Sequence, residues 1–141
     1  MLAALEALRH LDLKPQILHC HDSQTGLAPA YLKLSKIGDR YYRDITTLFT
    51  IHNLAYQGLY ERQKFVLTGL PGDLFYAMGP FEYYGQLNLM KAAICYADVL
   101  NTVSPQYARE IQSPEYGAGL DNVLRTRKDD LHGILNGIDT E

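Results

Sequence analysis

The sequence predicts an α/β fold, an open parallel sheet with helices on both faces. Three observations carry that expectation. Short β-branched or apolar runs alternate with helix-period stretches, the strand–helix–strand order that βαβ units require. One run, Thr46-Thr47-Leu48-Phe49-Thr50-Ile51, is free of charge, as buried parallel strands are. The chain has 141 residues, 47% hydrophobic and 21% charged, which is enough for one buried core.

The elements follow in order. Leu2, Leu5 and Leu8 at three-residue spacing predict the end of an amphipathic helix over 1–11. No N-cap residue precedes it, so its natural start is expected upstream. Pro15 breaks the pattern, and 16–20 reads as a short strand. Thr25 is expected to cap a helix from Gly26 to about Lys36, with Pro29 tolerated near the first turn. The charge-free run is the second strand. Residues 53–85, rich in Gly, Pro and Tyr, read as a long irregular segment that is either functional or carries short helices. Leu87, Met90, Ile94 and Ala97 stripe a helix over 86–97, and 99–103 is a third strand. Ser104-Pro105 opens a helix that stops at Ser113-Pro114. Residues 121–128 make a short helix, and 131–135 a fourth strand running into Asn136-Gly137.

Composition removes several classes of function. Lys and Arg number 13 against 16 Asp and Glu, a net charge of −3. With a pI near 5.9, a nucleic-acid surface is not expected. Cys20 and Cys95 lie far apart in no metal-ligand spacing, which fits two thiols in a reducing cytosol rather than a disulfide scaffold or zinc site. No apolar run approaches the roughly 18–20 residues that span a bilayer. Glu6 and Arg9 interrupt the N-terminal Leu/Ala stretch before any export signal is complete. Neither a membrane nor a nucleic acid is an expected partner.

In open α/β sheets, ligands gather beyond the carboxyl ends of the strands. The polar residues there are His19, His21 and Asp22, then His52 and Asn53, then Ser104, then Asn136 and Asp139. His19 and His21 are expected on opposite faces of their strand and so unable to share a metal. There is no GxGxxG, no GxxxxGK[ST] and no GxSxG. No carboxylate pair for glycoside hydrolysis is evident.

Five segments together resemble one family. Leu18-His19-Cys20-His21-Asp22 with Thr25-Gly26-Leu27-Ala28-Pro29 is similar to the HxHDWHTGLAP segment of bacterial glycogen synthases and plant starch synthases. Residues 49–58, FTIHNLAYQG, resemble that family's signature almost letter for letter. Asn88-Leu89-Met90-Lys91-Ala92 with Tyr96-Ala97-Asp98, residues 103–111 and residues 133–139 match three further motifs in the right order.

The resemblance implies the Rossmann-like half of a two-domain GT-B glycosyltransferase, here an incomplete domain. Residues 1–141 would be the C-terminal part of its N-terminal, acceptor-side domain. The upstream start, with the KTGGL loop, and the whole nucleotide-sugar domain would then lie outside the chain. The implied reaction moves glucose from ADP-glucose to the non-reducing end of an α-1,4-glucan, with retention and without metal or other cofactor. The chain alone would be inactive, needing its C-terminal domain in cis. The cellular setting implied is a bacterial cytoplasm, or a plastid for a plant or alga.

Carried over residue by residue, His52 is the active-site histidine, holding the transferring glucosyl unit through its carbonyl and imidazole. Asp22 hydrogen-bonds sugar hydroxyls, and Asn136 sits near the donor sugar. Such a transfer asks for aligned dipoles and hydroxyl clamps more than for a covalent nucleophile. Asn53 and Gln57 are expected in the substrate-binding set, orienting the His52 loop. Tyr56, Tyr83 and Tyr84 are expected to offer ring faces to glucan. Ser23-Gln24 stands where the family has Trp-His, a loss expected to leave a cavity or a rearranged loop. That departure keeps open a non-catalytic glucan-binding or decayed module. A GT-B transferase using another nucleotide sugar is a further alternative. The Arg125-Thr126-Arg127-Lys128 run is expected to be a solvated turn, and Lys91 a snorkelling or paired lysine.

Overall fold

The computed structural model describes residues 2–35 and 39–137. A first helix, α1 (Leu2–His10), leads into strand β1 (Ile17–His21) and helix α2 (Leu27–Ser35). Strand β2 (Thr46–Ile51) follows, then the short strands β3 (Leu59–Glu61), β4 (Glu82–Tyr83) and β5 (Gln86–Asn88). Helix α3 (Leu89–Tyr96), strand β6 (Val99–Thr102), helices α4 (Pro105–Glu110) and α5 (Asp121–Thr126), and strand β7 (Leu131–Gly133) complete it.

The main sheet is parallel throughout, in the order β1-β2-β6-β7. Its register sets Cys20 beside Phe49, Phe49 beside Leu100 and Leu100 beside Leu131. That row, with Ile51, packs against Met90, Ala93 and Ile94 of α3, Ala108 of α4 and Leu124 of α5. Phe49, Ile51 and Leu100 are fully buried. Each such side chain contributes about 1.5–3 kcal/mol.

The strand order advances in one direction only. Right-handed crossovers then place all three connections on the same side of the sheet. The alternate residues Ile17, His19, His21, Thr46 and His132 are accordingly exposed. Helices on both faces were the expectation for the open sheet; among the described residues they gather on one.

Residues 53–85 carry more structure than an irregular segment. β3, β5 and β4 form an antiparallel sheet in that spatial order, with 3-10 turns over Arg62–Thr68 and Gly72–Leu74. Phe65, Phe75, Phe81 and Leu87 give this region its own core, shared with Ala30 and Ala92. The helix expected over 86–97 begins at Leu89, because 86–88 pair as β5. Asn88 makes the switch, since its side-chain oxygen accepts from the Lys91 N–H at 2.8 Å as an N-cap. Lys91 is buried, and its ammonium donates to the Glu82 carbonyl at 2.6 Å, the paired state expected of it.

Other boundaries shift for local reasons. Thr25 does not cap α2. It closes a 3-10 turn over Ser23–Thr25, and its hydroxyl donates back to the His21 carbonyl at 2.7 Å. The far end of that helix, expected near Lys36, lies outside the described residues. Ser104 caps α4 as expected, accepting from the Tyr107 N–H at 2.9 Å with Pro105 in the first position. The fourth strand stops at Gly133, which lies against Ser104 and Pro105 so closely that a side chain would collide with backbone. Arg127 departs from its expected solvated turn. It is partly buried and donates to the carbonyls of Ile94 at 2.5 Å and Ala97 at 2.7 Å, satisfying the open end of α3.

Candidate active site

The tips of β1 and β2 meet at Asp22 and His52. The Asp22 N–H donates to the Thr50 carbonyl at 3.0 Å, which carries the β1–β2 ladder one residue beyond the strand. The Asp22 carboxylate accepts from the His52 N–H at 2.8 Å, so β1's loop holds the backbone of β2's loop. Asp22 adopts φ 53° and ψ −177°, a region that L residues rarely occupy. Such a conformation costs on the order of 1–3 kcal/mol and persists only where surrounding bonds over-determine it. Here those bonds are the two just given, plus the Asp22 carbonyl accepting from Thr25 N–H at 3.1 Å.

Three imidazoles line the exposed face of the sheet beside this clamp. His21 Nδ1 and His52 Nε2 are hydrogen-bonded at 3.0 Å, with the rings nearly parallel and their centres 5.3 Å apart. The His19 and His21 ring centres are 4.0 Å apart. The two therefore share a face, contrary to the expectation, because side chains on a strand repeat every two residues. His19 Nε2 bonds the Thr50 hydroxyl at 2.6 Å, and that hydroxyl donates to Asn101 Oδ1 at 2.5 Å. Burial, and then the neighbouring His21 and His52, lower the His19 pKa below its ordinary 6.5.

Asn136 lies beyond β7 on the same carboxyl edge and is exposed. β7 is two strands from β2, a separation of about 10 Å across the sheet. Asp139 lies outside the described residues. Asn53 shapes the turn after His52, its side-chain oxygen accepting from Ala55 N–H at 3.0 Å. Tyr56, on the same loop, is 69% exposed. Gln57 is buried with its amide engaged at both ends, donating to the Ala118 carbonyl at 2.9 Å and accepting from Asn88 at 2.6 Å. It fixes the loop and is not available to touch a ligand directly.

Tyr83 and Tyr84 stand apart from this rim. Their rings meet edge to face at 4.8 Å, and Tyr83 donates its hydroxyl to the Ala118 carbonyl at 3.1 Å. They line an open groove of about 640 Å³ with Tyr76, Lys91 and Asn122, and none of His52, Asp22 and Asn136 belongs to it. Ser104 is occupied as a helix cap. A second groove of about 220 Å³ opens beside Ser23 and Gln24, lined also by Tyr56, Gly58, Tyr60 and Leu89.

Among the described residues, no three His, Cys, Asp or Glu side chains are placed to hold a metal ion, and no helix is long and apolar enough to cross a membrane. Burial pushes the Cys20 thiol up to about 11 and raises that of Cys95, so neither is set up as a nucleophile. The sequence reading missed the polar row His19–Thr50–Asn101. Its signal was there, as polar residues at alternate positions of three neighbouring strands.

Residues 1–126 match the family model described as the starch synthase catalytic domain. The chain belongs to that family. It is 52% identical over 139 residues to a glycogen synthase of Thermotoga maritima, covering 99% of this chain and 28% of the relative. A glycogen synthase of Geotalea daltonii is 53% identical over 137 residues, covering 97% and 28%. Among solved structures, the catalytic domain of starch synthase IV from Arabidopsis thaliana bound to ADP and acarbose superposes with a TM-score of 0.86. That match has 37% identity and covers 98% of this chain and 28% of the other. The chain thus spans little more than a quarter of the length of these relatives, and its sheet is the Rossmann-like, GT-B architecture of the starch synthase structure.

Proposed function

We propose that this chain supplies the acceptor-side rim of a retaining glucosyltransferase that moves glucose from ADP-glucose to the non-reducing end of an α-1,4-glucan. It is read as the later part of the N-terminal domain, with the nucleotide sugar held mainly by a second domain in cis. The observation that carries this reading is the clamp at 2.8 Å between the His52 N–H and the Asp22 carboxylate. It fixes the His52 backbone against the strained, over-determined Asp22 at the sheet edge where α/β proteins bind ligands. The ADP and acarbose in the Arabidopsis structure support a nucleotide and an oligosaccharide as the two ligand classes.

In this reading His52 stabilises positive charge that develops at the anomeric carbon and ring oxygen of the transferring glucose. Asp22 and Asn136 hold sugar hydroxyls, and Tyr56 offers a ring face. Asn53 and Gln57 set the loop. Fixed dipoles and clamps of this kind act without reorganising during the reaction. No resident metal or cofactor is assigned. The bacterial relatives favour a bacterial cytoplasm as the setting.

The test is His52→Ala in the full-length protein. The expected result is a loss of glucosyl transfer of about 100-fold or more with circular dichroism unchanged. Wild-type turnover would remove His52 from the site.

A further inference from the structure

We infer that His21 is a positioning residue for His52, holding its imidazole in one orientation and one tautomer. The inference rests on the assignment of His52 to the site and extends it to a second histidine.

The two consecutive residues His21 and Asp22 grip His52 at both ends. Asp22 accepts from its backbone N–H at 2.8 Å, and His21 Nδ1 bonds its ring at Nε2 at 3.0 Å. A ring-to-ring bond needs one N–H and one lone pair, so the proton on one imidazole dictates the state of the other. The bond commits His52 Nε2 to His21 and leaves Nδ1 as the ring's other polar atom.

His21 is itself held from behind. The Thr50 hydroxyl has one proton, and it donates that proton to Asn101 Oδ1 at 2.5 Å. Thr50 must then accept from His19, which makes His19 Nε2 the protonated nitrogen of that ring. The His19 ring, fixed in this way, lies with its centre 4.0 Å from that of His21, and the His21 and His52 ring centres are 5.3 Å apart. His21 thus neighbours both a ring of determined tautomer and the ring assigned to the site. The charged and titratable groups around it are His19 on its own strand, Asp22 after it and His52 from β2. Register across three strands (His21 beside Thr50, Thr50 beside Asn101) makes the arrangement a property of the sheet rather than of a mobile loop.

The experiment compares His21→Ala and His21→Asn in the full-length protein. Imidazole nitrogen shifts of His52 are read by NMR, with kcat and KM for ADP-glucose measured alongside. Wild type is expected to show one His52 tautomer. His21→Ala is expected to show an averaged mixture, a kcat lower by about 10- to 100-fold and a nearly unchanged KM, the loss a displaced catalytic group brings. His21→Asn puts an amide where Nδ1 stood and is expected to restore most of both. It also serves as the test if the alanine variant does not fold, since mixed tautomers in it would count against the inference. Wild-type His52 shifts with wild-type kcat in His21→Ala would overturn it. If His52→Ala is fully active while the His52 shifts still depend on His21, the assignment of His52 has failed and the coupling has not.

Discussion

The two faces of the parallel sheet are built to opposite rules. On one, Cys20, Phe49, Leu100 and Leu131 stand in register and disappear under α3, α4 and α5. On the other, at the alternate positions, His19, Thr50 and Asn101 run across three strands as a hydrogen-bonded row. That row leads to His21 and His52 at the carboxyl edge. Both faces come from the same strands, and only the parity of each residue separates them. The packed face supplies stability without direction. The polar face supplies direction, because each hydrogen bond fixes where a proton and a ring must be.

Breaking each face in turn sharpens that contrast. Phe49→Ala removes a fully buried ring from the packed face and is expected to destabilise by about 3–5 kcal/mol in urea unfolding, with little cavity collapse. Thr50→Val, the next residue and nearly the same size, removes only the hydroxyl that joins His19 to Asn101. Its expected cost is about 1–2 kcal/mol, with the larger effect on glucosyl transfer. If the two substitutions cost the same stability, the division of labour between faces is wrong.

A smaller effect is expected with pH. His19 has its folded pKa lowered, first by burial and then by His21 and His52. The unfolded chain then takes up more protons as pH falls below the ordinary value of 6.5, so stability drops in that direction and is recovered at higher pH. The urea midpoint should decline from pH 7 toward about 5.5, less steeply in His19→Asn. Equal slopes in wild type and variant would assign the decline to other groups.

What was legible in the sequence follows the same physics. Strand β2, with its uninterrupted apolar or β-branched run, β6, with such residues on either side of Asn101, and α4, with Ser104-Pro105 at its start, announce themselves locally. So did the His52 and Asp22 loops, through residues that match a family motif. The strands β3, β4 and β5, of two or three residues each, are too short to show alternation, and Gln86-Leu87-Asn88 continued a helix period until Asn88 was seen to cap. The one-sided packing depends on strand order, which no local pattern encodes. Arg127 looked like part of a surface run because its partners, the carbonyls of Ile94 and Ala97, come from the last turn of α3 and the residue that follows it. The left-handed backbone of Asp22 likewise exists only once β2 is beside it.

The central claim is that His52, Asp22 and Asn136 cradle one hexose along this edge. A crystal structure of the full-length protein with ADP and a maltooligosaccharide reads that most directly. The account predicts sugar oxygens within about 3.2 Å of a polar atom on each of the three residues. A glucan end seated beside the nucleotide with none of the three in reach would contradict it.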